Sequence, residues 1–102
     1  MFRITENKGF QITFSNGLTI SCQMGNSNYC DNKEYERYEH LKEMKQRITS
    51  CENCEVAIWD KDDNWITGKI FEELELDTGD GEVVGWVDTD TVAKVIGYLI
   101  TR

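Results

Sequence analysis

The chain has 102 residues, with 11 Lys and Arg against 19 Asp and Glu, for a formal net charge of −8. That length holds a single domain, residues 1–102, and excludes most two-domain enzymes. An aromatic content of 11% is too high for a disordered acidic tail, and the negative charge argues against direct nucleic-acid binding and against an anionic membrane surface.

The acid excess is local. Residues 1–71 hold 9 basic and 11 acidic residues, residues 72–90 hold 8 acidic and no basic ones, and residues 91–102 carry only Lys94 and Arg102. No stretch approaches the ~18 apolar residues of a membrane span. Residues 1–10 lack the apolar core of a secretion signal, so a cytoplasmic location with four free thiols is the expectation.

In chain order, Phe2–Thr5 reads as an edge strand before a turn at Asn7–Gly9. Residues 10–24 then alternate, with Phe10, Ile12 and Phe14 on one side of Asn16-Gly17 and Leu18, Ile20, Cys22 and Met24 on the other. A two-residue loop would put these two apolar sets on opposite faces. A three-residue loop, Ser15-Asn16-Gly17, pairs Phe14 with Leu18, Ile12 with Ile20 and Phe10 with Cys22 on one face. The expectation is therefore a left-handed Gly17 followed by a bulge.

Residues 25–32 form an Asn-rich loop. Asp31 and Glu34 fit a capping box for a helix from Lys33 to Ile48, striped by Tyr35, Tyr38, Leu41, Met44 and Ile48. Glu55–Trp59 reads as a buried strand, Asp60–Asn64 as a turn and Trp65–Thr67 as the returning strand. Residues 70–76 fit a strand or a short helix equally well. Asp77–Gly81 is a loop and Val83–Val87 is extended. Asp88 or Thr89 caps a final amphipathic helix with Val92, Val95, Ile96, Leu99 and Ile100 on one face, and Lys94 and Arg102 suit its C-terminal half. The fold class is α+β: an antiparallel sheet of four to five strands packed against one or two helices. A core this small makes homo-oligomerisation a reasonable expectation.

Motifs for chemistry are sparse. Cys51-x₂-Cys54 with Cys22 and Cys30 would make a four-thiolate zinc set, but only one pair has knuckle spacing and Cys22 faces the core. Cys30 and His40 have no third group to orient them as nucleophile and base. Asp60-x-Asp62-x-Asn64 starts like a calcium loop, yet Trp65 and Phe71 stand where the motif needs Gly and an acid. No metal, no cofactor and no catalytic residue is expected. Two surfaces are candidates for binding. One is the loop residues Asn26, Asn28, Tyr29, Cys30, Asp31 and Asn32, whose amides and one aromatic ring suit a nucleotide-like ligand. The other is the acidic residues Glu72, Glu73, Glu75, Asp77, Asp80 and Glu82. They read either as a solvated face or as a nucleic-acid mimic for a basic groove on another protein.

The segments Gly9–Asn32, Glu55–Trp65 and Asp80–Leu99, about two-thirds of the chain, resemble a family of small bacteriophage and prophage proteins. Its pattern is GF-x-TF-x-NG, then NYC-x-N, then VAIWD, then an acidic segment leading into an apolar helix. The sequence departs from it at Leu18, where an aromatic is common, and at Asp63-Asn64, where a glycine turn is common. Members commonly lack cysteines at the places of Cys51 and Cys54. The resemblance implies a phage-encoded accessory protein of the infected bacterial cytoplasm. With the sparse chemistry, the expectation is a non-catalytic counter-defence binder. It would inhibit a host defence protein or sequester a nucleotide signal in the Asn-Tyr loop. The alternatives are an acidic mimic that blocks a nuclease or CRISPR effector, and a small zinc-binding, virion or replication accessory protein.

Overall fold

The computed structural model describes residues 1–6, 8–33, 50–79 and 81–102. The helix expected over 33–48 lies almost wholly outside the described residues, and so do His40 and Asp80. Among the described residues, five strands form one antiparallel sheet in sequence order: β1 (Phe2–Thr5), β2 (Gly9–Thr13), β3 (Thr19–Gln23), β4 (Asn53–Trp59) and β5 (Val84–Asp88). Helix α1 (Thr67–Glu73) joins β4 to β5, and α2 (Thr89–Leu99) follows β5 directly. The fold is α+β.

The first hairpin has the register that burial of one face demands. Phe10 pairs with Cys22 and Ile12 with Ile20. Gly17, at φ 89°, donates its N–H to the Phe14 carbonyl at 3.0 Å, and the Phe14 N–H reaches the Leu18 carbonyl at 2.9 Å. This is a three-residue turn closed by a left-handed glycine. The turn has a second function. Asn16 Nδ2 donates to the Leu99 carbonyl at the end of α2 (2.8 Å) and to the Arg102 oxygen just beyond it (3.2 Å).

One sheet face carries the core. Ile20, Cys22, Val56, Ile58, Ile70, Phe71, Val95 and Leu99 are all buried in a single cluster, with α1 against β4 and α2 against β5. The opposite face is polar and hydrogen-bonded across strands. The Thr13 and Thr19 hydroxyls meet at 2.9 Å, Thr5 donates to Gln23 at 2.8 Å, and Gln23 donates to Ser21 at 3.1 Å. Among the described residues, every buried side-chain nitrogen and oxygen has a hydrogen-bond partner.

Two local expectations change. Trp65–Thr67 does not return as a strand: Trp65 makes one isolated bridge to Trp59 and α1 begins at Thr67. The reason is at Ile58, beyond the reach of β5. There the Ile66 N–H donates to the Ile58 carbonyl at 2.9 Å, and the buried Thr67 hydroxyl accepts the Ile58 N–H at 2.8 Å. One side chain thus takes a ladder bond that a strand would otherwise make. Replacing Thr67 with valine keeps the shape and leaves the Ile58 N–H unpaired. The expected loss is about 1–3 kcal/mol in urea unfolding; a loss under about 0.5 kcal/mol would show that this bond is dispensable.

The second change is at the end of α2. Asp88 is the N-cap, accepting the Thr91 N–H at 2.8 Å, and Val95 and Leu99 are buried as expected. Ile100 lies past the last helical turn and is 60% exposed. No basic residue occupies that turn. Arg102 instead reaches across to Glu73 on α1, which also accepts the Tyr98 hydroxyl. The Tyr98 hydrogen bond, helped by Arg102, holds the Glu73 carboxyl below its ordinary value.

Candidate functional site

The site begins with a mismatch between β4 and β5. Cys54 pairs with Val87 and Val56 with Val84, so Glu55 alone stands opposite both Gly85 and Trp86. This is a β-bulge, and it frees two groups. Trp86 adopts φ 52°, a left-handed conformation in which a bulky side chain is strained. Its N–H turns away from β4 and donates to the Tyr29 carbonyl at 2.9 Å. The Glu55 carboxylate accepts the Tyr29 N–H at 2.9 Å and the Asn28 amide at 3.4 Å. The loop at 25–32 is therefore held on the outer edge of β5 by the bulge itself.

The rest of the loop is braced from within. Asn28 Oδ1 accepts the Gly25 N–H at 2.9 Å. Asn32 Nδ2 donates to the carbonyls of Met24 (2.8 Å) and Ser50 (3.1 Å). The Asp31 N–H donates to Asn53 Oδ1 at 2.8 Å. Asn26 is half-buried. Cys30 is 1% exposed and its Sγ donates to the Gly25 carbonyl, while burial pushes its thiol up to about 11, so it stays protonated at neutral pH. Of the six loop residues singled out from the sequence, Tyr29 lines an open cavity beside β5.

That cavity is an open groove of about 640 Å³. Its floor is the apolar set Phe71, Val84 and Val87, and its walls include Leu76, Asp77, Asp88 and Thr91. Tyr29 and Trp86, 45% and 53% exposed, stand together at its edge with ring centroids 5.9 Å apart and planes tilted by 35°. Lys33 Nζ lies 4.8 Å from the Tyr29 ring centroid, a cation–π distance. Gly85 makes the pairing sterically feasible: a Cβ there would lie 2.7 Å from the Tyr29 Cβ. The Thr91 hydroxyl and N–H hold the Asp88 carboxyl below its ordinary value, so it is ionised at neutral pH.

The acidic stretch is divided by this geometry. Asp77 lines the groove and accepts the Gly79 N–H at 3.0 Å. Glu73 ties α1 to α2, whereas Glu72, Glu75 and Glu82 are exposed around them. Sequence reasoning missed Glu55 and Trp86, the two residues that the bulge recruits. No local signal marks either one, because the bulge that recruits them arises only where β4 meets β5.

Cys22, Cys30 and Cys54 are buried and Cys51 is half-buried. Cys22 and Cys54 hydrogen-bond to each other in the core, and that contact with burial pushes the Cys54 thiol up. Cys51 and Cys54 both lie close enough to Cys30 to help push its thiol up. Among the described residues, no group of three or more His, Cys, Asp or Glu is arranged to hold a metal ion, and no helix is long and apolar enough to cross a membrane. Neither a family model, nor a curated protein, nor a solved structure matches the chain.

Proposed function

We propose that this chain is a non-catalytic binding protein whose Tyr29–Trp86 groove takes up a nucleotide-like ligand. In this reading it is a phage accessory protein that withdraws a nucleotide immune signal in the cytoplasm of an infected bacterium. One observation carries the binding reading: an exposed Trp86 held in a strained conformation beside an exposed Tyr29, over an apolar floor. Backbone strain of this kind costs about 1–3 kcal/mol and collects at functional positions. Base–aromatic stacking contributes about 1–3 kcal/mol per base, enough to offset it when a ligand is bound. The polar groups around the rings match the remaining parts of a nucleotide. Lys33 supplies a cation for phosphate, and the Asp77 and Asp88 carboxylates accept from sugar hydroxyls or exocyclic amines. The resemblance of Gly9–Asn32 and Glu55–Trp65 to small phage proteins supports the counter-defence setting.

The test is a melting-temperature and tryptophan-fluorescence screen of the full chain against cyclic and ADP-ribose-type nucleotides. A ligand at ~100 times its Kd should stabilise by about 2.7 kcal/mol, which raises Tm by roughly 10 °C or more. No shift with any nucleotide would reject the nucleotide reading. The exposed carboxylates Glu72 and Glu75 favour a second reading, an acidic surface that occupies a basic groove on a host protein. Inhibition of a defence nuclease that survives Tyr29→Ala and fails with Glu72→Gln plus Glu75→Gln would establish it in place of the first.

A further inference from the structure

We propose that the open edge of the sheet is a homodimer interface, with β1 pairing antiparallel to β1 of a second copy across a two-fold axis. The hydrogen-bond phase of β1 defines what that edge offers. The Thr13 N–H donates to the Met1 carbonyl at 2.8 Å, and pairing runs Phe2 to Ile12, Arg3 to Gln11, Ile4 to Phe10 and Thr5 to Gly9. Bonded and non-bonded pairs alternate in an antiparallel ladder, so the backbone N–H and C=O groups of Phe2 and Ile4 point away from β2.

The same two residues carry exposed apolar side chains. Phe2 is 76% and Ile4 89% exposed, beside Met1 at 73%. Their partners Ile12 and Phe10 pack against the core, so the core face of the sheet continues outward past the cover that α1 and α2 give β4 and β5. β1 contains no Pro and no bulge, so its protection as an edge strand is limited to its four-residue length and Arg3. The other end of the sheet differs, because the Tyr29 carbonyl already takes the Trp86 N–H on the outer edge of β5.

Three features select a second copy as the occupant. Isologous pairing sets Phe2 opposite Ile4 of the other copy, and the reverse, which makes four backbone hydrogen bonds and two aromatic–β-branched pairs. The exposed parts of Met1, Phe2 and Ile4 come to roughly 500 Å² per copy, so a pair buries at most about 1,000 Å², the size of a weak dimer. The charge pattern also favours this edge. The described acidic residues of 72–90 belong to α1, β5, the connection between them and the first turn of α2, elements that follow β4 and lie away from β1 in the strand order, so joining at β1 keeps the two acidic ends far apart. In this register Arg3 meets Arg3 of the other copy near the axis, a like-charge contact that weakens the pair. Each copy keeps its own groove, remote from the joint.

Sedimentation velocity of the full chain from about 1 to 300 µM, a range that brackets weak and moderate dimers, tests this. The expected result is a species of twice 11.8 kDa that grows with concentration, at least tenfold weaker dimerisation in Ile4→Lys, and several-fold tighter dimerisation in Arg3→Ser. Hydrogen exchange provides the second measurement, with the Phe2 and Ile4 amides slowing as concentration rises. A wild-type monomer throughout the range, a dimer unaffected by Ile4→Lys, or exchange at Phe2 and Ile4 that ignores concentration would overturn the proposal. Nucleotide binding by a monomeric Ile4→Lys protein would leave the groove reading standing, so the two proposals fail separately.

Discussion

Phe71→Ala is expected to lower stability by about 3–5 kcal/mol, the range for emptying a buried aromatic site. Phe71 is 1% exposed and is among the largest fully buried side chains. It stands on α1 within the core cluster, and its other side forms the groove floor. The void left behind is therefore bounded partly by β-sheet side chains that cannot move inward together. A domain of this size holds about 5–15 kcal/mol in total, so the variant should unfold roughly 15–30 °C lower. Phe71→Leu keeps most of the volume and should cost less than about 1.5 kcal/mol. Urea midpoints for the two variants check the claim. Similar losses in both would place Phe71 outside the rigid core.

Trp86→Gly is expected to separate stability from binding. At φ 52° an L side chain costs about 1–2 kcal/mol relative to the right-handed regions, and glycine removes that cost. Trp86→Ala removes the same indole but keeps a Cβ in the strained position. The glycine variant should therefore be about 1 kcal/mol more stable than the alanine variant. Both should lose ligand affinity by about tenfold or more, the value of one stacking platform. Thermal melts of the pair, with and without ligand, make the comparison. A glycine variant less stable than the alanine variant would mean that Trp86 is not strained. Full affinity in either would remove Trp86 from the site.

Much of the sheet was legible because its information is local. The register of β2 and β3 follows from counting residues across Asn16-Gly17, since a shift of one would turn Phe10 and Ile12 away from Ile20 and Cys22. Asp88 was legible as a cap for the same reason: the bond it makes reaches only three residues. What could not be read was non-local. The bulge depends on β4 and β5 meeting with one residue against two, across a separation of some thirty residues. Hence Tyr29 could be singled out from the sequence, whereas its partner Trp86 and its anchor Glu55 could not. Trp65–Thr67 misled because alternation cannot reveal that a hydroxyl will replace a strand at Ile58. The acidic run was visible as a count, but only the fold separates Asp77 in the groove from Glu73 between the helices.

The contact between Asn16 and the Leu99 carbonyl spans 83 residues of chain. A translating ribosome adds about 5–20 residues per second, so the hairpin tip waits several seconds for the helix that it caps. Throughout that interval Ile20 and Cys22 of β3 lack Val95 and Leu99, with which they share the core. Closure at Asn16 is thus a late folding event with a large loop entropy. A nascent chain halted before Thr89 should present its first hairpin to chaperones, and release of the last helix should end that exposure.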